Sequence, residues 1–525
     1  MDRHRAALSS LPRWAPAALV ALPAVWLGVF FAWPTVTLVG RAGGPQIDAD
    51  IVWFTLWQAV VSTVLTLALG MVPAYVLARF SFPGRRLVLA VVTVPFMLPT
   101  VVVGAAFLAL LPDHLHGTTT ALVLAHVFFN VAVVVRLVGA MWSVIPHELT
   151  GAARTLGASP WQVLRLVVLP LLRPGIVAAS TVVFLFTFTS YGAVVLLAGP
   201  GHPTVEVEIV RLATQLGDVD RAVALSVVQL VVLALAVMVS AGIQRRASRP
   251  LGAVPVRRVA RTRRERSLVV TTGAVVAVMM TLPVIALVRR SVVLGGRLTL
   301  EAWRSLGHNS GRPGMSLGVD PLGSITASLR IAAAATVLSC AIGLLGALAI
   351  GAARRRLAGT LDVGLMLPLG TSAVTVGLGM LITFDHAPFD WRATWWLVPV
   401  GHSLIAVPFV VRAVLPVVRS VPTAQLDAAA VLGAGPWRAW WEVVVRRLPR
   451  ALLVGAGLSA AISLGEFGAT TFLTRTGHET VPVAIGRVLA RTGELPRAQG
   501  FALATLLFLV TAAVVVATDS PSGGQ

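Results

Sequence analysis

The sequence predicts an all-α polytopic membrane protein in which twelve transmembrane helices form two parallel six-helix repeats. Three observations carry this: an apolar composition, twelve apolar runs of membrane length, and internal similarity at a nearly constant offset. Of 525 residues, 57% are hydrophobic and 12% charged, with a mean hydropathy of +0.86, far from soluble globular domains.

Runs of about twenty apolar residues lie near 17–40, 54–78, 87–111, 121–142, 176–198, 222–243, 268–288, 325–352, 361–383, 395–418, 451–473 and 498–518. The first follows Arg3, Arg5 and Arg13 but is too long for a signal peptide and lacks a small-x-small end, so it is expected to be a retained anchor. All 42 basic residues are arginine. With no lysine the chain has neither a phosphate-binding loop of the G-x-x-x-x-G-K-[ST] type nor a Schiff-base lysine. The sole cysteine, Cys340, reads as a small apolar packing residue.

Placing the N-terminus in the cytoplasm puts Arg79, Arg85, Arg86, Arg154, Arg165, Arg173, the Arg-rich stretch 244–267, Arg354 to Arg356 and the 419–450 loop inside. That gives about twice as many arginines inside as outside, and twelve spans return the C-terminus to the same side. The 244–267 stretch is expected to anchor topology against anionic lipid. It has no interleaved aromatic residues for base stacking, so nucleic acid is not an expected partner.

This linker separates two similar halves, 1–243 and 268–525. Residues 55–79 align with 328–352, matching Thr63 with Thr336 and Gly70 with Gly343, and residues 125–136 align with 401–412, matching His126 with His402. Each half holds an even number of spans, so the second copy enters the membrane as the first does.

A cytoplasmic loop follows the fourth span of each half, at 143–175 and 419–450. "GAARTLGASPW" (151–161) and "DAAAVLGAGPW" (427–437) stand 276 positions apart. Ala152, Ala153 and Leu156 in one and Ala428, Ala429 and Leu432 in the other predict short helices whose small residues admit a partner's backbone. Gly157 and Gly433, followed by Ala158 and Ala434, are placed to end those helices in the left-handed conformation. Ser159 and Pro160 are placed to start the next. A single such loop could be a plain connector, but two matched copies predict a surface that meets a two-fold partner.

Pro146, Leu149, Ala152, Ala153, Leu156, Gly157, Ala158, Pro160 and Trp161, followed by "LPLLRPGI" (169–176), resemble the EAA loop of permease subunits in binding-protein-dependent ABC importers. The resemblance covers nearly the whole chain twice. It implies a fold of the ABC importer permease type and a transport subunit that is not itself an enzyme. Each loop would dock on one subunit of a cytoplasmic ATPase dimer, which binds ATP and Mg, and this chain would hold no cofactor of its own. An extracytoplasmic solute-binding protein would deliver the solute, and the chain would sit in a bacterial plasma membrane with both termini cytoplasmic. The two halves would rock between access states as the ATPase closes and reopens. The family's acidic position is Gly151 in the first loop and Asp427 in the second, and Arg446 stands where Pro170 does. The two docking sites are therefore expected to be chemically unequal.

"LAHVFFN" (124–130), residues 189–215 and residues 463–490 resemble the fused permeases of thiamine and ferric-iron importers, implying thiamine, a thiamine phosphate or ferric iron as solute. Polar groups inside spans are costly and usually face a cavity or a neighbouring helix. The solute-pathway candidates are Glu466 and its counterpart Ser190, Tyr191 and Phe467 for stacking on an aromatic solute, and Asn130, His126 and His402, which could equally satisfy backbone groups. No metal-ligating cluster accompanies the histidines. Outside the membrane, 199–222 and 476–498 form a second matched pair, beginning at His202 and His478, and would present Glu206, Glu208, Arg211, Glu479, Arg487 and Arg491 to the binding protein. The alternative class is an ion-gradient-driven secondary transporter with Glu466 as coupling carboxylate, which would leave the matched loops without a purpose.

Overall fold

The computed structural model describes residues 14–43, 47–199, 201–247, 257–307, 320–353, 355–386, 388–391, 394–474 and 479–518. Arg3, Arg5, Arg13, residues 248–256 of the linker, Arg354, Thr476 and His478 lie outside them. In the N-terminal part, helices run as α1 (Trp14–Leu27), α2 (Trp33–Gly40), α3 (Ala49–Arg79), strand β1 (Phe80–Ser81), α4 (Arg85–Thr93), α5 (Thr100–Leu110), α6 (Thr119–Ser143), α7 (His147–Thr155), α8 (Pro160–Val163), α9 (Leu169–Phe188), α10 (Gly192–Leu197), α11 (Val205–Arg211) and α12 (Val219–Ala247). There follow β2 (Arg258–Val259), α13 (Arg263–Ser291), the hairpin β3 (Val293–Leu294) and β4 (Arg297–Leu298), and α14 (Glu301–Arg304). The remainder is α15 (Pro321–Ala352), α16 (Arg355–Met366), α17 (Ala373–Thr383), α18 (Leu397–Arg419), α19 (Thr423–Val431), α20 (Pro436–Val443), α21 (Leu448–Gly465), α22 (Gly468–Leu473), α23 (Val481–Leu489) and α24 (Glu494–Thr518).

Polar caps open several spans: Asp48 accepts from the Asp50 amide at 3.1 Å, Thr118 from Ala121 at 3.3 Å, and Thr262 forms a capping box with Glu265. Among the described residues, ten helices are long and apolar enough to span a bilayer, and two bent helix pairs bring the number to twelve if each pair counts as one span.

Those pairs correct the simple spans expected at 87–111 and 361–383. Residues Arg85–Met97 and Thr100–Leu110 meet at 105°, and Arg356–Gly370 and Ala373–Thr383 at 99°. In the first pair Pro95 and Pro99 have no amide to donate, and Leu98 is extended (φ −75°, ψ 145°) ahead of Pro99. In the second, Thr371 is extended and Ser372 restarts the helix by accepting from the Thr375 amide at 3.2 Å. The fifth spans also differ from 176–198 and 451–473. Their helices begin in the loops, at Pro160 and Arg438, and stop at Phe188 and Gly465, short of the expected ends.

The same contacts recur in both halves. A Cβ added to Gly70 would stand 2.7 Å from Val134 Cβ, and one on Gly343 would stand 2.7 Å from Val410 Cβ. Gly104 faces the Ala193 backbone and Gly377 that of Ala469. The Val205 amide donates to Thr55 Oγ1 at 3.0 Å, and the Val481 amide to Ser328 Oγ at 2.8 Å. Small residues at these positions let helices approach where lipid gives no hydrophobic drive to associate.

The compact units do not follow the sequence halves. One comprises residues 1–46, 209–227 and 303–525, and the other 47–208 and 228–302. In the first unit, Trp26 and Phe31 of the opening span join a core with Met380, Phe384 and Leu404, and Gly379 packs on the Pro34 carbonyl. Phe30 and Trp33 meet Phe384 at 6.0 and 5.7 Å between ring centroids. Cys340 packs at the edge of the same core. In the second unit, Val269 of α13 packs with Val76 and Phe80. The leading span of each sequence half thus packs with helices of the other, because ring shape and small-residue fit choose helix neighbours irrespective of chain order.

Gly70→Ala and Gly343→Ala should each destabilise the purified chain by about 1–3 kcal/mol through overpacking. Gly273→Ala, with nothing within 4 Å of the added Cβ, should not. Thermal unfolding in detergent checks this, and equal melting of all three would refute the close approaches.

Candidate functional site: paired loops and broken spans

The two loops share one backbone design. In the first, the Ala158 amide donates to the Ala153 carbonyl at 3.0 Å and the Gly157 amide to Arg154 at 2.9 Å; in the second, Ala434 donates to Ala429 at 2.9 Å and Gly433 to Ala430 at 3.0 Å. This double bond pattern with glycine at φ +83° and +79° is a complete Schellman ending. It turns the chain so that Leu156 and Leu432 stand 88% and 86% exposed. Gly151, Ala152, Asp427 and Ala428 are exposed too, while Ala153, Ala158, Ala429 and Ala434 are half-buried against the body. Apolar residues held outward on a capped helix suit a partner surface.

The loops are held differently. Arg79, buried at the end of α3, donates through Nη1 to the Ile145 carbonyl at 2.8 Å and lies 3.0 Å through Nη2 from His147 Nδ1. Ser159 and Gln162 form a capping box after the first loop helix, whereas Gly435 caps α20 without a side chain. In the second loop Arg447 donates to Gln425 Oε1 and Arg446 to Glu442, both at 2.6 Å and both exposed. A buried guanidinium thus ties the first loop to α3, and one exposed bond, Arg447 to Gln425, ties the second loop helix to its return segment.

The long fifth helix of each half ends at the predicted pathway residues, and a short helix restarts beyond them. Ser190 and Tyr191 separate α9 from α10, and Glu466 and Phe467 separate α21 from α22. All four are buried. Glu466 serves the backbone at its break: Oε1 accepts from the Ala469 amide and Oε2 from the Thr470 amide, each at 2.9 Å, and Oε2 accepts from Thr470 Oγ1 at 2.6 Å. His402 Nε2 approaches Glu466 Oε2 at 3.3 Å and Thr470 Oγ1 at 2.8 Å, and its Nδ1 lies 2.7 Å from Ser463 Oγ. The carboxylate therefore caps the first amides of α22 and holds the histidine of the fourth span.

The first half lacks these partners, because Ser190 replaces Glu466 and Val194 replaces Thr470. His126 instead meets Ser62 of α3 at 3.5 Å through Nδ1, and Asn130 donates to the His126 carbonyl at 2.9 Å. Gln58 donates to the carbonyls of Thr55 and Thr187, each at 3.2 Å. His126 Nε2, Asn130 Oδ1 and Gln58 Oε1 are buried with no partner among the described residues. Sequence reading missed Gln58, Ser62 and Thr66, although Thr55, Gln58, Ser62 and Thr66 recur every three or four residues and so mark one helix face. It also missed Ser463 and Thr470, which gain meaning only from the break at Glu466.

Of the residues expected to face a binding protein, Glu206, Glu208 and Glu479 are buried, contrary to expectation. Glu206, on α11, accepts from Gln229 at 2.8 Å, and Glu479, just ahead of α23, accepts from the exposed Arg487 at 2.7 Å, so both carboxylates are spent on partners within the chain. Arg211 and Arg487 are exposed and Arg491 half-buried.

A family model described as "Binding-protein-dependent transport system inner membrane component" matches residues 67–250, from α3 through the first loop to α12. The chain belongs to this family. It is 25% identical over 491 residues to the thiamine transport system permease protein of Salmonella typhimurium, covering 89% of this chain and 87% of that one. It is 26% identical over 526 residues to that of Brucella abortus, covering 93% and 92%. A shorter transport system permease protein of Salmonella typhimurium is 30% identical over 188 residues, 36% of this chain and 70% of its own length. The present permease is therefore a multi-pass membrane transport subunit of the ABC importer class, not an enzyme, and it resembles thiamine permeases along nearly its whole length.

In this permease, Glu466→Ala should cost about 3 kcal/mol by orphaning the Ala469 and Thr470 amides and removing one partner of His402, whereas Ser190→Ala should change melting little. Comparable losses for the two would remove the distinction drawn between the breaks.

Proposed function

We propose that the chain forms the solute path of an ATP-driven importer for thiamine or a thiamine phosphate. Two separate ATPase subunits, which would bind ATP and Mg themselves, would dock on the cytoplasmic loops, and an extracytoplasmic binding protein would deliver the solute. The observation that carries the coupling is the repeated Schellman-ended helix that holds Leu156 and Leu432 outward. A merely solvated connector has no reason to expose the same leucine twice. Leu156, Gly157 and Ala158 would meet one ATPase subunit, and Leu432, Gly433 and Ala434 the other, with Gly151, Ala152 and Ala153 and Asp427, Ala428 and Ala429 forming the small-residue contact face. The solute preference is supported by alignment with thiamine permeases over about nine-tenths of the chain. Both termini are proposed to be cytoplasmic, on the side of the arginine-rich segments.

Within the path, the unpaired polar atoms of Gln58, His126 and Asn130 are proposed to meet water or solute when access changes, since leaving them orphaned costs about 1–3 kcal/mol each. Tyr191 and Phe467 would offer stacking faces at the two breaks. Glu466 and His402 would act by holding the second break in shape, and Ser190 would leave the first one looser. Arg211 and Arg487 would stand exposed on the binding-protein face, Arg487 paired with Glu479.

Gly157→Ile with Gly433→Ile forces β-branched residues into left-handed backbone. Together they should abolish co-purification of the ATPase and thiamine uptake while leaving the chain in the membrane; an intact complex with uptake unchanged would refute the coupling. Gly151→Asp, with no neighbour within 4 Å of its Cβ, should strengthen the first docking site, read as slower ATPase dissociation at low salt. Uptake that persists without the ATPase and collapses with the proton gradient would instead establish secondary transport.

A further inference from the structure

The arginine-rich linker does more than follow the membrane surface. Its end pairs as β2 with β1, Arg258 opposite Phe80 and Val259 opposite Ser81. Arg258 sits 5.0 Å over the Phe80 ring and binds Glu265 at 2.7 Å. Glu265 also accepts from the Arg261 amide at 2.9 Å and the Thr262 amide at 3.3 Å, so this carboxylate is fully committed.

Successive residues of an extended segment face opposite ways, and Arg257 lines a different space. A cavity of about 360 Å³ is bounded by Ser81, Phe82, Gly84, Arg85, Arg86 and Arg257. Among the described residues no carboxylate lines it. Arg85 is fixed by donation from Nε to the Leu77 carbonyl at 2.9 Å, which leaves its terminal nitrogens free to turn toward the cavity. Among the described residues neither Arg86 nor Arg257 makes an ion pair. Three arginines thus line one cavity with no carboxylate among its lining residues, at the start of the nine-residue helix α4, whose Arg85 amide is already bonded to the Phe82 carbonyl at 3.2 Å. Gly84, at φ +79°, leaves the helix entrance open. Like charges lining one cavity repel unless an anion joins them.

We propose that this cavity is a binding site for a phosphate group, carried either by the headgroup of an anionic lipid or by free phosphate. Bidentate guanidinium contacts match phosphate oxygens, and the hydroxyl of Ser81 supplies a further donor. The neighbouring Leu87, 68% exposed beside the arginines, gives an acyl chain an apolar surface to follow. The site adjoins the first loop through the chain itself, since Arg79, one residue before β1, holds the Ile145 carbonyl. The proposal does not rest on the identity of the transported solute.

The test uses the full purified chain in detergent. Native mass spectrometry would count phosphatidylglycerol retained against phosphatidylcholine, for wild type, for Arg86→Ala with Arg257→Ala, and for Arg289→Ala with Arg290→Ala as a control of equal charge loss. Retention of phosphatidylglycerol should fall at least about tenfold in the first variant and not in the control. Arg86→Gln with Arg257→Gln, which keeps polar length, should show the same loss with unchanged melting. Competition by millimolar inorganic phosphate distinguishes the sources: displacement of the lipid, or arginine-dependent binding of phosphate alone, identifies a site for free phosphate, and resistance to displacement identifies a lipid site. The proposal is overturned if neither phosphatidylglycerol nor inorganic phosphate binding depends on Arg86 and Arg257.

Discussion

In the hydrocarbon core no water is at hand for a backbone amide, so every place where a span unwinds has to be capped from within the chain. That constraint organises this permease. Its third span bends sharply in both halves, and its fifth helix ends and gives way to a short helix at Ser190–Tyr191 and at Glu466–Phe467; at each place the backbone leaves the helix and then restarts it. At Ser372 a hydroxyl performs the restart. At Glu466 a carboxylate does so with two oxygens, reinforced by His402, Ser463 and Thr470. At Ser190 the equivalent side chain is too short, and three polar atoms nearby on α3 and α6 remain unsatisfied. The duplication repeats the geometry of the breaks but not their chemistry.

The same contrast runs through the loops. Both end in a glycine-based turn that exposes a leucine, but a buried arginine anchors the first, whereas the second has an exposed arginine–glutamine bond and an exposed ion pair within its return segment. Surface pairs of that kind contribute little, about 0–1 kcal/mol, whereas a buried guanidinium bound to a carbonyl and an imidazole is costly to displace. The first loop is consequently the more firmly fixed to its spans, and the second presents the one acidic side chain of the matched motif. The asymmetry that Gly151 and Asp427 announce in sequence therefore extends to how each loop is held.

Much of this was legible in the sequence. Membrane spans follow from length and composition, the glycine endings at Gly157 and Gly433 from their place after a small-residue helix, and the capping of Ser159 from its position before Pro160. The breaks were not legible, because proline alone does not mark them: Pro73, Pro174, Pro283, Pro408 and Pro416 all lie inside continuous helices. Without the break at 466–467, Glu466 reads as a charge awaiting a solute, and its capping role is invisible. Glu206, Glu208 and Glu479 misled for a related reason, since an acidic residue on a short amphipathic helix reads as exposed until the residues above it are known. The exchange of leading spans depends on aromatic contacts such as Phe30 with Phe384, which join residues more than three hundred positions apart and leave no local trace.

The central claim, that the two loops each engage an ATPase subunit through an outward leucine, is tested most directly by site-specific crosslinking. Leu156→Cys and Leu432→Cys, each in a Cys340→Ser background and labelled with a short photoactivated crosslinker, would be irradiated in membranes of cells producing the whole transport system. The account predicts that both positions give an adduct with a nucleotide-binding polypeptide, whereas the same label at the exposed Val516 of α24 gives none. Adducts absent from both loops, or equally abundant from Val516, would contradict it.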